Sequence, residues 1–286
     1  MKMRRAAAIV TATAIASIGV GPPAAQAAAD TSPPGTNDFT CEPSAAHPRP
    51  LIMLEGLGGN SGAWGVFTPP LLKEGYCIFT LDYGIDPRIA WFPIPIEGTL
   101  PMEQSAAELK RFVTQVLSAT GARRFDLVGH SEGTMMPRYY LERLGGARKV
   151  KRFVALTPLW RGTNLGGTAT LRDALAPLGL SQPVVELVAS FCTACTQSLP
   201  GSAYIEDLNS DGEAIPGVKH TNIVTKTDEF VTPYTSGIMR DGGTNIVLQD
   251  VCPTDLSEHL LVAFDPVVLR LIMNALDPRH ARPVRC

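Results

Sequence analysis

One stretch decides the fold of this chain: Phe125-Asp126-Leu127-Val128-Gly129-His130-Ser131-Glu132-Gly133. The apolar run 125–128 predicts a buried strand, and residues 134–141 have the composition of a helix. Between them, the pattern G-x-S-x-G puts a serine on a turn so sharp that flanking glycines must make room for it. The amides at the start of the helix favour negative charge near that serine. The stretch therefore predicts a nucleophile, Ser131, and the alternative is an idle serine in a glycine-rich connection.

Outward from this stretch, short apolar runs alternate with amphipathic ones. Six runs predict strands buried on both faces: 51–54, 77–81, 125–128, 153–156, 222–225 and 245–248. Between the second and third runs, apolar residues at helical spacing predict a helix over Met102–Thr120 that ends at Gly121. This alternation predicts an α/β domain with a mostly parallel sheet flanked by helices. Ligands of such sheets bind beyond the carboxyl ends of the strands.

The first 27 residues have the parts of a secretory signal peptide. These are the basic residues Lys2, Arg4 and Arg5, an uncharged run, and the small-x-small triplet Ala25-Gln26-Ala27. A membrane anchor is the alternative, but Gly21-Pro22-Pro23 interrupts the run. We expect a signal peptide at 1–27, an extended lead-in at 28–49 and one catalytic domain at 50–286. The expected location is extracellular, and the export route stays open.

Net charge and cysteine content bear on the binding partners and on the disulfides of this chain. A net charge of −2 gives no support to a nucleic-acid partner, and we expect a monomer. All six cysteines follow the predicted cleavage site, and an exported chain meets an oxidising compartment. Six cysteines allow 15 pairings, among which we expect the near-neighbour set Cys41–Cys77, Cys192–Cys195 and Cys252–Cys286. A redox pair or half a zinc site at Cys192 and Cys195 lacks its sequence context.

The general base is predicted from chain order. Enzymes with their nucleophile on such a turn place the acid and then the histidine after the serine. Four histidines fit poorly, because they lie before the serine, inside the turn, ahead of a strand or in the tail: His47, His130, His220 and His280. His259 remains, in a loop after the sixth strand and before a final helix from Pro266. A surface histidine without a role is the alternative.

The acid is predicted from its place beyond a strand. Asp228 follows the fifth run, where its carboxylate could orient an imidazole and stabilise its charged form. Glu229 is adjacent and is expected to point the other way. Asp250 and Asp255 are alternatives, although both fit turns or helix caps.

The first strand runs into a glycine-rich loop, Glu55-Gly56-Leu57-Gly58-Gly59-Asn60, whose amides could face a substrate oxygen. The second donor should be the amide of the residue after the nucleophile, Glu132.

Calcium binding is a weaker candidate: the segment Asp207-Leu208-Asn209-Ser210-Asp211-Gly212 begins like a calcium loop but has Val218 where a glutamate ligand belongs. We therefore expect no metal and no cofactor.

With these motifs the chain resembles the secreted actinomycete-type triacylglycerol lipases and esterases, the class 2 lipase family, over roughly residues 41–286. The motifs are the loop Gly56-Leu57-Gly58-Gly59-Asn60, the elbow Leu127-Val128-Gly129-His130-Ser131-Glu132-Gly133 with its helix, Thr227-Asp228-Glu229-Phe230-Val231-Thr232-Pro233-Tyr234, and Leu256-Ser257-Glu258-His259-Leu260. The resemblance implies the α/β-hydrolase fold with a small or absent lid, and the oxyanion amides of Leu57 and Glu132. It also supports the triad Ser131, Asp228 and His259. The chain departs at Glu55, where many relatives carry histidine.

The expected function is hydrolysis of carboxylic esters of lipids through an acyl-enzyme on Ser131. A polyester depolymerase or an acyltransferase could use the same triad. A secreted binding module without catalysis is the alternative from another class. The loop that begins at Ile85 and reaches Met102 carries apolar residues spaced by prolines. We expect it either to contact a lipid–water interface or to pack inward as part of the core.

Overall fold

The computed structural model describes residues 31–89 and 96–286. Its centre is a sheet of six strands: β1 (Leu51–Leu54), β2 (Ile78–Thr80), β3 (Phe125–His130), β4 (Val150–Leu156), β5 (Lys219–Val224) and β6 (Thr244–Val247). The strand order is β2-β1-β3-β4-β5-β6, and every neighbouring pair is parallel. The predicted parallel sheet is therefore confirmed. The predicted signal peptide lies outside the described residues.

Helices cover both faces of this sheet. They are α1 (Thr68–Lys73), α2 (Met102–Thr120), α3 (Glu132–Arg143), α4 (Thr168–Leu175), α5 (Ser181–Ala189), α6 (Thr193–Gln197), α7 (Ala203–Asn209), α8 (Leu248–Val251) and α9 (Pro266–Leu276). Helix α2 spans the residues predicted for it and buries one apolar stripe, including Leu109 and Val113. It ends at Gly121 in the left-handed region, where glycine carries no steric cost. Described residues contain no helix long and apolar enough to cross a membrane.

Two apolar cores lie on either side of the sheet. Helices α2 and α3 bury Leu109 and Met135 in one core, and α9 buries Val268 and Ile272 in the other. Strands β1 and β3 are in the middle of the sheet and are buried throughout. One strand expectation is wrong: β6 is not buried on both faces. It is the last strand of the sheet, so only β5 pairs with it, and Thr244 and Asn245 are exposed.

The lead-in is fastened to the sheet. Asn37 exchanges hydrogen bonds with the Thr80 backbone in β2, and Cys41 is bonded to Cys77 immediately before that strand. The other disulfides join Cys192 to Cys195 and Cys252 to Cys286. These are the near-neighbour pairs expected from the sequence.

The register brings the functional loops to one edge. Leu54 at the end of β1 lies beside Gly129 of β3, and His130 lies beside Leu156 at the end of β4. Leu156 in turn pairs with Ile223, near the end of β5. The segments after β1, β3 and β5 therefore start close together at the carboxyl edge of the sheet.

Candidate active site

Ser131 occupies a strained turn between β3 and α3. Its φ of 53° and ψ of −123° lie outside the usual regions for a residue with a side chain. Such strain persists only where the surrounding structure enforces it, and it is common at functional sites. The preceding strand and following helix therefore present Ser131 as the sequence pattern predicts.

Two glycines permit the close packing that this turn needs. A Cβ atom at Gly129 would come within 2.0 Å of the Gly133 carbonyl oxygen, because strand and helix cross there. A Cβ atom at Gly56 would come within 2.6 Å of the Ser131 Cβ. Only a residue without a side chain fits at either position. The glycine-rich loop after β1 therefore lies directly against the serine.

His259 and Asp228 form a hydrogen-bonded pair. His259 Nδ1 lies 3.0 Å from a carboxylate oxygen of Asp228, and both side chains are buried. The carboxylate also accepts N–H groups of Phe230 at 3.0 Å and Val231 at 2.6 Å. These bonds fix the carboxylate. Because the carboxylate occupies Nδ1 of His259, Nε2 is the ring nitrogen that remains for other contacts.

The other candidate groups are occupied elsewhere. Asp250 pairs with the Lys226 ammonium at 2.6 Å, and Asp255 accepts the Ser257 N–H at 2.8 Å. His220 is buried near the start of β5 and accepts the Ile215 N–H at 3.1 Å. Each of these contacts is local to a turn, a surface pair or the core.

Glu229 does not point away from the site as expected. Its Oε2 accepts the backbone N–H of His259 at 3.3 Å. The turn that follows Asp228 lets two consecutive acidic side chains reach the same loop, one to the ring and one to the backbone. The alternation of neighbouring side chains that holds along a strand does not apply in such a turn.

The two amides expected to face the substrate oxygen are open. Gly58 and Gly59 donate their N–H groups to the carbonyls of Glu97 and Gly56. Over the described ranges, the N–H groups of Leu57 and Glu132 have no protein acceptor. Glu132 also begins α3, where the helix dipole favours an anion.

The two carboxyl groups beside these amides are both buried. Glu55 contacts the ring of His130 as an ion pair. Glu132 is fully enclosed, and burial raises the pKa of its carboxyl well above the usual value, which disfavours the charged form. The sequence showed both glutamates but not the contact between residues 55 and 130.

A pocket of about 310 Å³ opens over Ser131. Ser131 and His259 both line it, together with Gly56 and Glu132. Its other walls are mainly apolar and include Leu57, Leu159, Leu165, Phe230, Val231 and Leu260. In the described part of the chain, no three His, Cys, Asp or Glu side chains are grouped to hold a metal. The pocket can enclose an apolar chain next to the serine.

The proline-spaced loop is only partly described. Ile89 is buried, and Ile96 and Leu100 are half-buried. Trp91, Phe92 and Ile94 lie outside the described residues. The described apolar side chains of this loop are therefore buried or half-buried, whereas Pro87 and Arg88 are exposed.

The sequence of this chain is similar to one family model and to a curated lipase. Residues 49–177 match the family model described as the alpha/beta hydrolase fold. Lipase B of Pseudozyma antarctica is 25% identical over 231 residues, which is 77% of this chain and 60% of that protein. The chain thus spans less than two thirds of the length of this curated relative.

Two solved structures share the architecture. Aspergillus fumigatus lipase B superposes with a TM-score of 0.64 at 16% identity, covering 89% of this chain and 56% of that one. A mature Bacillus licheniformis lipase superposes with a TM-score of 0.58, also at 16% identity, covering 82% of this chain and 94% of that one. At this identity the structural likeness establishes the fold and nothing finer.

Proposed function

Because the chain has the α/β-hydrolase fold, we propose that it is a secreted serine hydrolase that cleaves carboxylic esters of lipids, a triacylglycerol lipase or carboxylesterase. One observation carries the proposal. The strained Ser131 and His259, whose ring is hydrogen-bonded to Asp228, line one pocket at the carboxyl edge of the sheet. The likeness to Pseudozyma antarctica lipase B supports the same class of reaction.

The proposed reaction uses these groups in sequence. His259 Nε2 takes the proton of the Ser131 hydroxyl as its oxygen attacks the ester carbonyl. Asp228 keeps the imidazole in the required tautomer and stabilises its charged form. The amides of Leu57 and Glu132 bind the oxyanion. His259 then protonates the leaving alcohol, and water, activated by the same histidine, releases the acid from the acyl-enzyme.

The pocket walls favour esters with apolar acyl chains. Six of the lining residues carry only hydrocarbon side chains, and they surround the position of an acyl chain attached to Ser131. The three disulfides and the segment 1–27 support export to an oxidising compartment. We further propose that residues 28–49 are a lead-in, that 50–286 are one catalytic domain, and that the protein acts as a monomer.

Covalent labelling and matched substitutions test the mechanism. Ser131→Ala and His259→Ala should lower the rate on p-nitrophenyl esters at least about a thousandfold, and Asp228→Asn should leave more residual rate. A fluorophosphonate should label wild-type protein at Ser131 and should not label Ser131→Ala. Ser190→Ala, which changes an exposed serine directly after α5, and His220→Ala are the controls and should keep their activity.

Two outcomes would contradict the assignment. A folded His220→Ala enzyme without activity, beside an active His259→Ala enzyme, would show that the base is wrong. Failure of the fluorophosphonate to label wild-type protein would instead favour a binding module. A faster rate with alcohol acceptors than with water, or on polymeric esters, would favour the acyltransferase or depolymerase function.

A further inference from the structure

Two buried groups beside Ser131 take no part in the chemistry proposed above. Glu55 follows β1, His130 ends β3, and these strands are neighbours in the sheet. A carboxylate oxygen of Glu55 contacts His130 Nδ1, and the two residues are only 7% and 2% exposed. A buried ion pair loses the hydration of both charged groups, and this cost in free energy is offset only when the groups make further hydrogen bonds.

The further contact is made by the other ring nitrogen. His130 Nε2 lies 2.8 Å from the backbone carbonyl oxygen of His259. A carbonyl oxygen only accepts, so Nε2 carries a hydrogen and donates it. Burial opposes the charged imidazole, but the charge of Glu55 and the hydrogen bonds to Glu55 and His259 outweigh it and raise the pKa of His130. Because Nδ1 faces the Glu55 carboxylate, Glu55 fixes the orientation of the His130 ring and leaves Nε2 to donate to the His259 carbonyl.

This bond adds an anchor to a loop that is otherwise held by the segment after β5 and by the disulfide at Cys252. Leu256 and Leu260, on either side of His259, are exposed. His259 itself is held at three points: its ring on Asp228, its backbone N–H on Glu229 and its carbonyl on His130. The first two contacts tie it to the segment after β5. Only the third ties it to β3, the strand that leads into the nucleophile.

We propose that Glu55 and His130 are positioning residues that hold the His259 loop against the strand carrying Ser131. His130 makes the bond, and Glu55 fixes the ring nitrogen that makes it. Because His130 directly precedes the serine, one hydrogen bond sets the backbone of the base relative to the backbone of the nucleophile. The inference rests on the proposed serine hydrolase mechanism and adds two residues to it.

Substitutions at both ends of the pair test the role. At about pH 8 on a soluble p-nitrophenyl ester, His130→Leu and Glu55→Leu should each lower kcat about 10- to 100-fold and change KM by a smaller factor, because the base shifts while the apolar walls of the pocket stay in place. Labelling of Ser131 by a fluorophosphonate should slow by the same factor. Glu55→Gln should keep kcat within about threefold, because its amide can donate to Nδ1 and leave the Nε2–H in place.

His220→Leu is the matched control, since it replaces another buried imidazole outside the pocket. It should lower the melting temperature and leave kcat unchanged. If the leucine variants at 130 and 55 lose only melting temperature, as His220→Leu does, the positioning role is wrong. Nitrogen NMR of the wild-type histidine rings at the same pH gives a measurement that needs no stable variant: the proposal requires a protonated His130 Nε2, and an unprotonated one overturns it.

The test separates this inference from the function it rests on. Wild-type protein that is not labelled at Ser131 contradicts the hydrolase proposal itself. Protein that is labelled and hydrolyses esters, but whose kcat is unchanged by His130→Leu and Glu55→Leu, contradicts the positioning role alone.

Discussion

Glu55 and Glu132 place two carboxyl groups next to the amides that would bind an oxyanion, and a negative charge there would oppose catalysis. Two features of the structure oppose a free charge at these positions. Glu55 contacts the ring of His130, and burial raises the pKa of the Glu132 carboxyl well above its usual value. Burial therefore disfavours the charged form of Glu132 beside the amide that would bind the oxyanion.

The buried His220 should make stability depend on pH. Burial, and then the charge of Arg138, lower its pKa from 6.5 to about 4, against a smaller opposing effect of Asp241. As pH falls below 6.5 the unfolded chain binds a proton that the folded chain refuses, so the free energy of unfolding decreases until about pH 4. The decrease from this residue is on the order of 3 kcal/mol. His220→Gln keeps an acceptor for the Ile215 N–H and cannot titrate.

Urea unfolding of both proteins at pH 7.5 and 4.5 checks this expectation. The wild type should lose about 2 to 3 kcal/mol more than His220→Gln between the two conditions. Other titrating groups contribute equally to both proteins, so the difference isolates His220. Equal losses would mean that the folded protein protonates this ring at its ordinary pKa.

The residues proposed to carry the chemistry could be predicted where their place follows from chain order. Ser131, Asp228 and His259 each stand after a predicted strand in the order that the elbow motif requires. The Glu55–His130 contact could not, because it joins residues 75 apart across two strands whose pairing no local pattern records. Glu229 was assigned the wrong direction for a similar reason, since the turn after β5 has no periodicity.

At the scale of elements, helices α4 and α5 form the surface beside the pocket. Helix α5 buries none of its residues although it is largely apolar. Leu187 in α5 is 69% exposed, and Leu178, in the short turn that joins α4 to α5, is 70% exposed. The pair joins the pocket wall at Leu165, which accepts the Thr168 N–H at the start of α4. A large exposed apolar surface commonly marks a site of contact with a partner or membrane. Given the proposed substrate, that partner would be a lipid surface.

Polar substitutions on this helix pair should separate two kinds of substrate. Leu178→Ser with Leu187→Ser should lower the rate on an emulsified triacylglycerol about tenfold and leave the rate on soluble esters within about twofold, because only the first substrate must be reached at a surface. Val66→Ser with Val251→Ser, also exposed apolar residues but outside the pair, is the control. Trp91→Ser with Phe92→Ser tests the proline-spaced loop in the same assay. Equal losses on both substrates would show that the changed residues support the fold instead.

The elements themselves were predictable to different degrees. Strands β1 and β3 and helix α2 follow from runs whose burial is strong and whose ends are marked, as by Gly121. The exposure of β6 did not follow, because position at the edge depends on how strands are ordered and not on their composition. The helix pair α4–α5 also has no clear local signal, since leucines in both helices, Leu171 and Leu187, face solvent and so break the rule that assigns the apolar residues of a helix to the core.

At the scale of the whole molecule, two disulfides close loops of nearly equal length at opposite edges of the sheet. Cys41–Cys77 has a sequence separation of 36 and lies directly before β2, the outer strand on one side of the sheet. Cys252–Cys286 has a separation of 34 and lies beyond β6, on the side of the His259 loop. In the chain-entropy model each restricts the unfolded chain by about 4 kcal/mol. Their effects on stability should therefore be similar and their effects on the site different.

Few hydrogen bonds separate Cys252 from the His259 loop. The Cys252 carbonyl accepts the Asp255 N–H at 3.0 Å, and the Asp255 carboxylate accepts the Ser257 N–H at 2.8 Å, two residues before His259. At the other end, the tail is held to α9 by the paired Asn274 and Arg282 contacts at 2.8 and 2.9 Å. The disulfide therefore links the tail that follows the last helix to the loop that carries His259.

Removing this disulfide should affect the rate before it affects the fold. Cys252→Ser with Cys286→Ser should lower esterase kcat about tenfold or more at temperatures where circular dichroism still shows folded protein, because a displacement of about 1 Å at the base can cost about a hundredfold. Cys41→Ser with Cys77→Ser should lower the melting temperature by a similar amount and keep kcat at temperatures where it is folded. Peptide mapping without reduction verifies the pairing in the wild type. If both double variants lose activity only as they unfold, the bond supports stability alone, and the His259 loop is held sufficiently by Asp228, Glu229 and His130.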